Sequence, residues 1–117
     1  MKYTVQRLDG RFSYREWFEY YIGFPSAMAN RQGPVRYNDA LKWFFETYGW
    51  SAEIRQWADI REYFGNVFRY VKPNPLPEMP ECVNPYWSWT NGYDDLRIYV
   101  KSPQELTLFQ LKYQVDQ

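Results

Sequence analysis

Six aromatic and cationic residues that lie close together in the chain have the chemistry to recognise a flat or apolar partner. They surround the dipeptide Asn91-Gly92, and they are Tyr86, Trp87, Trp89, Tyr93, Arg97 and Tyr99. Trp and Tyr rings stack on nucleobases and on apolar side chains, and an Arg guanidinium stacks on rings. We therefore predict a binding surface here. The alternative is that these rings pack beneath helices, because large aromatics on a hairpin usually bury against something.

The residue types that commonly perform catalysis or hold metals are few in this chain. His is absent, which removes the commonest general base and a common metal ligand. Asp59 and Glu62 lie three residues apart, and Asp94 and Asp95 are adjacent, but neither pair belongs to a recognisable motif. Cys82 is the only cysteine and follows an acidic residue, so we expect an inert thiol and no intrachain disulfide. The sequence predicts no metal, no cofactor and no enzymatic activity.

A proline-rich segment at residues 73–85 is a second candidate for recognition. It contains five prolines, Pro73, Pro75, Pro77, Pro80 and Pro85. Alternating prolines favour the polyproline II conformation, which a partner can bind at little cost in ordering. The segment could equally be a semi-rigid spacer that spans one end of a sheet.

Composition and charge limit the classes of function. The chain has 117 residues, of which 22% are aromatic, and its 14 basic residues balance its 14 acidic ones. A neutral protein is a poor candidate for non-specific duplex binding, which needs many cations against phosphates. It is an equally poor acidic mimic of DNA. Interface cores are enriched in Tyr, Trp, Phe and Arg, which favours a binding role.

Local patterns predict the elements that would position these residues. Two capping boxes, Ser13 to Glu16 and Ser102 to Glu105, mark helix starts, and Asn91-Gly92 marks a hairpin. We predict helices over residues 13–23, 38–48, 52–64 and 103–112, and strands over 2–8, 66–72, 86–90 and 96–101. The second and third helices are joined by so few residues that we expect them to pack as a hairpin.

The fold class that follows is α+β. We predict a single domain over residues 1–117, with a small, mostly antiparallel sheet of about four strands packed against three to four helices on one face. Residues 1–9 hold no apolar run and no stretch approaches the length of a membrane span, so we expect a cytoplasmic protein without a membrane partner.

The function we predict is that of a non-enzymatic interaction protein, of the inhibitor or adaptor type. It would bind another macromolecule, most simply a protein, through its aromatic and Arg surface. The alternative is a binder of a small ligand, a nucleotide or single-stranded nucleic acid that stacks bases on the same rings. The aromatic-rich, cysteine-poor composition is similar to that of small accessory proteins of tailed phages, although no motif carries the likeness.

Overall fold

The fold is known from a computed structural model that describes residues 3–24, 32–67, 74, 78–92 and 95–114. Within these residues the chain forms four strands and three helices. In chain order they are β1 (Thr4–Arg7), β2 (Tyr20–Phe24), α1 (Gln32–Tyr48), α2 (Ile54–Val67), β3 (Trp87–Gly92), β4 (Asp95–Val100) and α3 (Pro103–Lys112). This confirms the predicted α+β class.

The four strands form one antiparallel sheet in the order β1-β2-β4-β3. In the register of its centre, Ile98 of β4 stands opposite Ile22 of β2 on one side and opposite Trp89 of β3 on the other. Alternate residues of β4 point to opposite faces, yet Ile98, Tyr99 and Val100 are all buried. The sheet is therefore covered on both faces, and the expectation of helices on one face only was wrong.

The two faces are covered by different helices. On one face, Ile22 and Trp87 pack in a cluster with Phe44 of α1 and Phe109 of α3. The other face is covered by α2, and its core cluster has eight members: Leu8, Phe18, Ala52, Ile54, Trp57, Ala58, Val83 and Tyr99. Because α1 and α2 lie on opposite faces, they do not form the predicted helical hairpin. The short connection between them crosses the edge of the sheet instead.

The predicted first helix, over residues 13–23, is not formed. Residues 10–17 are turns, in which Tyr14 O accepts hydrogen bonds from the N–H groups of Trp17 and Phe18, and β2 then begins at Tyr20. The aromatic spacing fits a helix, but it equally fits a strand whose alternate residues face the two clusters. Packing against β4 decides between them, since Ile22 is fully buried there.

The other element boundaries follow the sequence more closely. Helix α3 occupies the predicted residues 103–112, whereas α1 begins six residues earlier than predicted, at Gln32. Helix α2 continues through Val67 and so takes up the start of the strand predicted over 66–72, whose remainder lies outside the described residues. The hairpin of β3 and β4 is present. Asn91 and Gly92 belong to β3 itself, so the connection falls at residues 93–94, also outside the described part.

The capping box before α3 has an unexpected hydrogen-bond pattern. Ser102 is the N-cap residue, but its hydroxyl makes no bond to a backbone N–H of the first turn. It donates instead to the carboxylate of Glu105, which is itself buried. The two side chains of the box satisfy each other, and Pro103 supplies the preset first helical position.

Candidate functional site

Two tryptophans of β3 fasten the connection between α1 and α2, and a third fastens α2 itself to the segment before β3. Trp87 donates its indole N–H to Gly49 O at 2.9 Å, and Trp89 donates to Ser51 O at the same distance. Trp57 of α2 donates to Asn84 O, also at 2.9 Å. We call these three residues and their acceptors the tryptophan seam.

Serine hydroxyls complete the seam. The Ser51 hydroxyl donates to Trp87 O at 2.8 Å, and the Ser88 hydroxyl donates to Ala52 O at 2.7 Å. Both serines are fully buried. The edge of β3 is thereby occupied by a connecting segment of the same chain, and buried polar groups along it are paired.

Two residues of the predicted hairpin surface are core residues. Trp87 is 0% exposed, where its ring stacks on Phe44, and Tyr99 is 4% exposed. They also lie on opposite faces of the sheet, in different core clusters. The prediction that both rings belong to one binding surface was wrong, because each ring is covered by a core cluster on its own face of the sheet.

The remaining residues of that prediction are distributed differently. Trp89 is partly buried against the first cluster, and Arg97 places its guanidinium 4.2 Å from the ring centroid of Tyr21 on the opposite face. Tyr93 lies outside the described residues. Tyr86 is 44% exposed. Tyr86 lies beside the groove that is described next.

A groove opens at the end of the sheet where Tyr86 precedes β3. It has a volume of about 460 Å³, and its lining residues are Tyr48, Gly49, Trp50, Arg61, Met79, Pro80, Glu81, Val83, Asn84 and Pro85. The Tyr86 ring packs beside it, 5.8 Å from the ring of Tyr48. The predicted proline-rich segment thus contributes one wall, through its residues 79–85.

Trp50 is the most exposed large ring of this groove, at 57%. Gly49 ends α1 with a positive φ of 92°, a conformation that side chains rarely adopt, and so turns the chain toward the sheet edge. Trp50 follows at once, between two residues of the seam. Within the part of the chain that the structure describes, its indole N–H meets no acceptor.

Asn84 joins the two walls of the groove. Its side-chain amide donates to Tyr48 O at 2.8 Å and to Trp50 O at 3.2 Å, while its side-chain oxygen accepts from the Tyr86 N–H at 2.9 Å. Because Asn84 also accepts from Trp57 through its backbone, the groove and the seam share one hydrogen-bond network. The groove is therefore held in shape without a ligand.

The charged side chains that line the groove are Arg61 and Glu81, and nearby cations lie beside rings. The Arg61 guanidinium lies 5.6 Å from the Trp57 ring centroid, and the Lys101 ammonium lies 5.7 Å from that of Tyr86. Neither cation forms an ion pair with a described residue. Burial, and to a lesser extent the carboxylate of Glu105, raises the pKa of the Tyr48 phenol above its ordinary value. Tyr48 is therefore neutral at physiological pH.

The described residues with catalytic potential do not converge. Asp59 and Glu62 lie on the exposed side of α2, and Cys82 is half-buried at the start of the turn that leads to Asn84. Among the described residues no group of His, Cys, Asp and Glu side chains could hold a metal ion. Nor does any helix in the described ranges have the length and apolarity needed to cross a bilayer.

The sequence pointed to one wall of this site and missed the other. Tyr86 and the proline-rich segment are both candidates from the sequence, whereas Trp50 falls in the short connection between the second and third predicted helices. The available signal was its position, because a large ring directly after a helix-ending glycine has few neighbours of its own element to cover it.

Comparison with protein-family models, with curated proteins and with solved structures gives no match.

Proposed function

We propose that this protein is a non-enzymatic binding module that contacts another protein through the groove between Trp50 and Tyr86. The observation that carries the proposal is the exposure of Trp50. The indole N–H groups of Trp57, Trp87 and Trp89 are all bonded inside the fold, whereas that of Trp50 has no acceptor among the described residues. An exposed Trp with an unused donor is the kind of residue that anchors protein interfaces.

The rigidity of the groove supports the same proposal. Asn84 fixes both of its walls through three side-chain hydrogen bonds, and the seam fixes the backbone on which Trp50 stands. A preformed site avoids much of the entropy cost of ordering an interface on binding. The groove can therefore be a contact surface although it is small.

The chemistry of the rim also suits a protein partner. Met79 and Trp50 are exposed apolar groups, and the charged lining residues are one cation, Arg61, and one carboxylate, Glu81. Interfaces are enriched in aromatic residues, Met and Arg. A site for nucleic acid would be expected to bring several cations together for phosphates.

The test compares two exposed aromatic residues. Trp50 lines the groove, while Tyr63 of α2 is 65% exposed and does not line it. Proteins captured from a native lysate by the immobilised chain are compared with those captured by Trp50→Ala and Tyr63→Ala. A protein that Trp50→Ala alone loses is then purified, and its affinity for each variant is measured by calorimetry.

We expect Trp50→Ala to weaken binding by roughly 2 kcal/mol or more, which is about thirty-fold in Kd. Tyr63→Ala should bind as the original chain does. Equal affinity of all three proteins would place the contact elsewhere. Co-purification of nucleotide or single-stranded nucleic acid, detected by its ultraviolet absorbance and lost in Trp50→Ala, would favour the stacking alternative over a protein partner.

A further inference from the structure

The dipeptide Asn91-Gly92 lies at the end of the hairpin that β3 and β4 form. In the strand register Asn91 stands opposite Leu96, and Gly92 stands opposite Asp95 in the last pair of the ladder. The Asn91 side chain is exposed, and it makes no hydrogen bond to a described residue. The fold therefore leaves this carboxamide in water, directly before a residue that has no side chain.

An asparagine that is followed by glycine can undergo a reaction that needs no enzyme. The backbone nitrogen of the glycine attacks the side-chain carbonyl carbon of the asparagine, which closes a succinimide ring. The attacking nitrogen loses its proton, and the side-chain nitrogen leaves as ammonia. Glycine favours this step, because no Cβ obstructs its nitrogen and its backbone reaches conformations that other residues rarely adopt. Water then opens the ring at either carbonyl, and the products are aspartate and isoaspartate.

Two other described asparagines precede proline and lack the nitrogen that this reaction needs. Asn74 is followed by Pro75 and Asn84 by Pro85, and a proline nitrogen within a chain carries no proton to lose. Asn84 is in addition buried, and its side chain makes three hydrogen bonds. Neither residue is therefore a candidate for the reaction.

The remaining described asparagines lie within helices. Asn38 belongs to α1 and Asn66 to α2, and both side chains are exposed. The nitrogen that follows each of them is fixed in the helical backbone, where an N–H donates to the carbonyl four residues earlier. Asn91 thus differs from the other described asparagines, because it combines an exposed carboxamide with an unhindered nitrogen outside a helix.

The strand pairing around Asn91 slows this reaction but does not block it. Gly92 belongs to the last pair of the ladder, and the ends of elements open at little cost in free energy. Trp89 lies two residues earlier and is held by the bond from its indole N–H to Ser51 O at 2.9 Å. Fraying of the hairpin end therefore frees Asn91 and Gly92 while the tryptophan seam stays intact.

We propose that Asn91 is a site of spontaneous deamidation, in which the Gly92 nitrogen displaces ammonia and one water molecule is consumed. The change replaces a neutral side chain with a carboxylate close in sequence to Asp94 and Asp95. The isoaspartate product also lengthens the backbone by one atom, which moves the last pair of the hairpin out of register. This inference concerns the hairpin end and does not depend on the groove or on its partner.

The experiment incubates the folded full chain in water enriched in ¹⁸O, because opening of the succinimide places one solvent oxygen in the product. Digestion in ordinary water then leaves any deamidation during sample preparation unlabelled. Tandem mass spectrometry locates the label, and an isoaspartyl methyltransferase assay detects isoaspartate. Asn38, exposed in α1, is the internal control in the same digest. Gly92→Ala is the matched variant, and its melting curve checks that it is folded.

We expect labelled aspartate and isoaspartate to accumulate at position 91 of the original chain. The rate should be higher in mildly alkaline buffer than at neutral pH, because the attacking nitrogen must lose its proton. Asn38 should remain unlabelled in the same samples. Gly92→Ala should slow the labelling severalfold, because the added Cβ crowds the attacking nitrogen.

Three results would overturn the inference. The first is the absence of label at position 91, which would show that the strand pairing holds Asn91 away from the reaction. The second is equal labelling of Asn38 and Asn91, which would remove the selectivity that the fold implies. The third is an unchanged rate in Gly92→Ala, which would exclude attack by the Gly92 nitrogen.

Discussion

Tryptophans in two adjacent regions of this molecule have opposite surroundings. In the tryptophan seam, Trp57, Trp87 and Trp89 are buried or partly buried, and each donates its indole N–H to a backbone carbonyl at 2.9 Å. At the groove, Trp50 is mostly exposed and has no acceptor within the described residues. Yet Trp50 stands between Gly49 and Ser51, the acceptors of Trp87 and Trp89.

The comparison separates structural rings from candidate contact rings. A buried Trp requires a partner for its N–H, because an unpaired buried donor costs free energy. Where the fold supplies that partner, the residue is accounted for by stability. Where the fold holds the backbone of a Trp in place but leaves its ring and its N–H in solvent, stability does not explain the residue. The aromatic residues of this chain therefore include rings that stability explains and at least one ring, that of Trp50, that it does not.

The sharpest way to break this comparison is to truncate one ring from each region. Trp87→Ala should lower the free energy of unfolding by about 3–5 kcal/mol, because it removes a fully buried ring from between Phe44 and Phe45. Trp50→Ala should change it by less than about 0.5 kcal/mol, as surface substitutions do. Urea denaturation measures both. Similar losses in the two variants would contradict the division into seam and groove.

Asn84 tests the link between the two regions. Asn84→Ala removes three side-chain hydrogen bonds and takes away the Asn84 partner of three partly buried backbone groups, so we expect a loss of about 1–3 kcal/mol in unfolding free energy. Asn38 of α1 is exposed and provides a matched control, with an expected change within about 0.5 kcal/mol. If Asn84→Ala were as mild as Asn38→Ala, the groove walls would not depend on this side chain.

Two serines sharpen the comparison at a smaller scale. Ser51→Ala leaves Trp87 O without its hydroxyl donor, and the expected loss is about 1 kcal/mol. Ser13, which the sequence marks as a helix cap, lies exposed in a turn, so Ser13→Ala should cost less than about 0.5 kcal/mol. The midpoints of chemical denaturation show which of the two variants loses more stability. A larger loss for Ser13→Ala than for Ser51→Ala would instead support the prediction that Ser13 caps a helix.

The smallest effect we predict is one of pH, centred on Tyr48. Burial raises the pKa of its phenol, and also those of Tyr3, Tyr14 and Tyr113, above the ordinary value near 10. Below pH 10 these phenols are neutral in the folded and in the unfolded chain, so their contribution to the free energy of unfolding is fully present. As pH rises further, the phenols of the unfolded chain ionise first. Their contribution to the free energy of unfolding is lost as pH passes through the raised pKa values of the folded chain.

Melting temperatures measured below and above pH 10 should therefore fall on the alkaline side. Because lysines titrate in the same range, Tyr48→Phe is the control, and its melting temperature should fall less steeply. Parallel curves for Tyr48→Phe and the original chain would show that Tyr48 does not contribute.

Local signals in the sequence were sufficient for some elements and not for others. Proline at the first helical position marked α3, and the alternation around Asn91-Gly92 marked the hairpin of β3 and β4. The helix predicted over residues 13–23 was wrong, because closely spaced aromatic residues fit both the spacing of a helix and the alternation of a strand. The choice was made by β4, with which β2 pairs over its full length.

The candidate site was only partly predictable for the same physical reason. Tyr86 and the proline-rich segment stood out by composition, but a surface at the sheet end depends on which face each ring takes. The burial of Trp87 and Tyr99 follows from helices on both faces, and the connection from α1 to α2 crosses the sheet edge. No spacing rule within the hairpin contains that information.

Deuterium exchange of the indole N–H groups tests the central claim most directly. The six tryptophans give separate ¹H–¹⁵N signals, each assignable by a single Trp→Phe variant. After transfer to deuterated buffer, the Trp50 signal should be gone in the first spectrum, while those of Trp57, Trp87 and Trp89 persist. Persistence of Trp50 beside them, or loss of Trp87 and Trp89 together with it, would contradict the division between seam and groove.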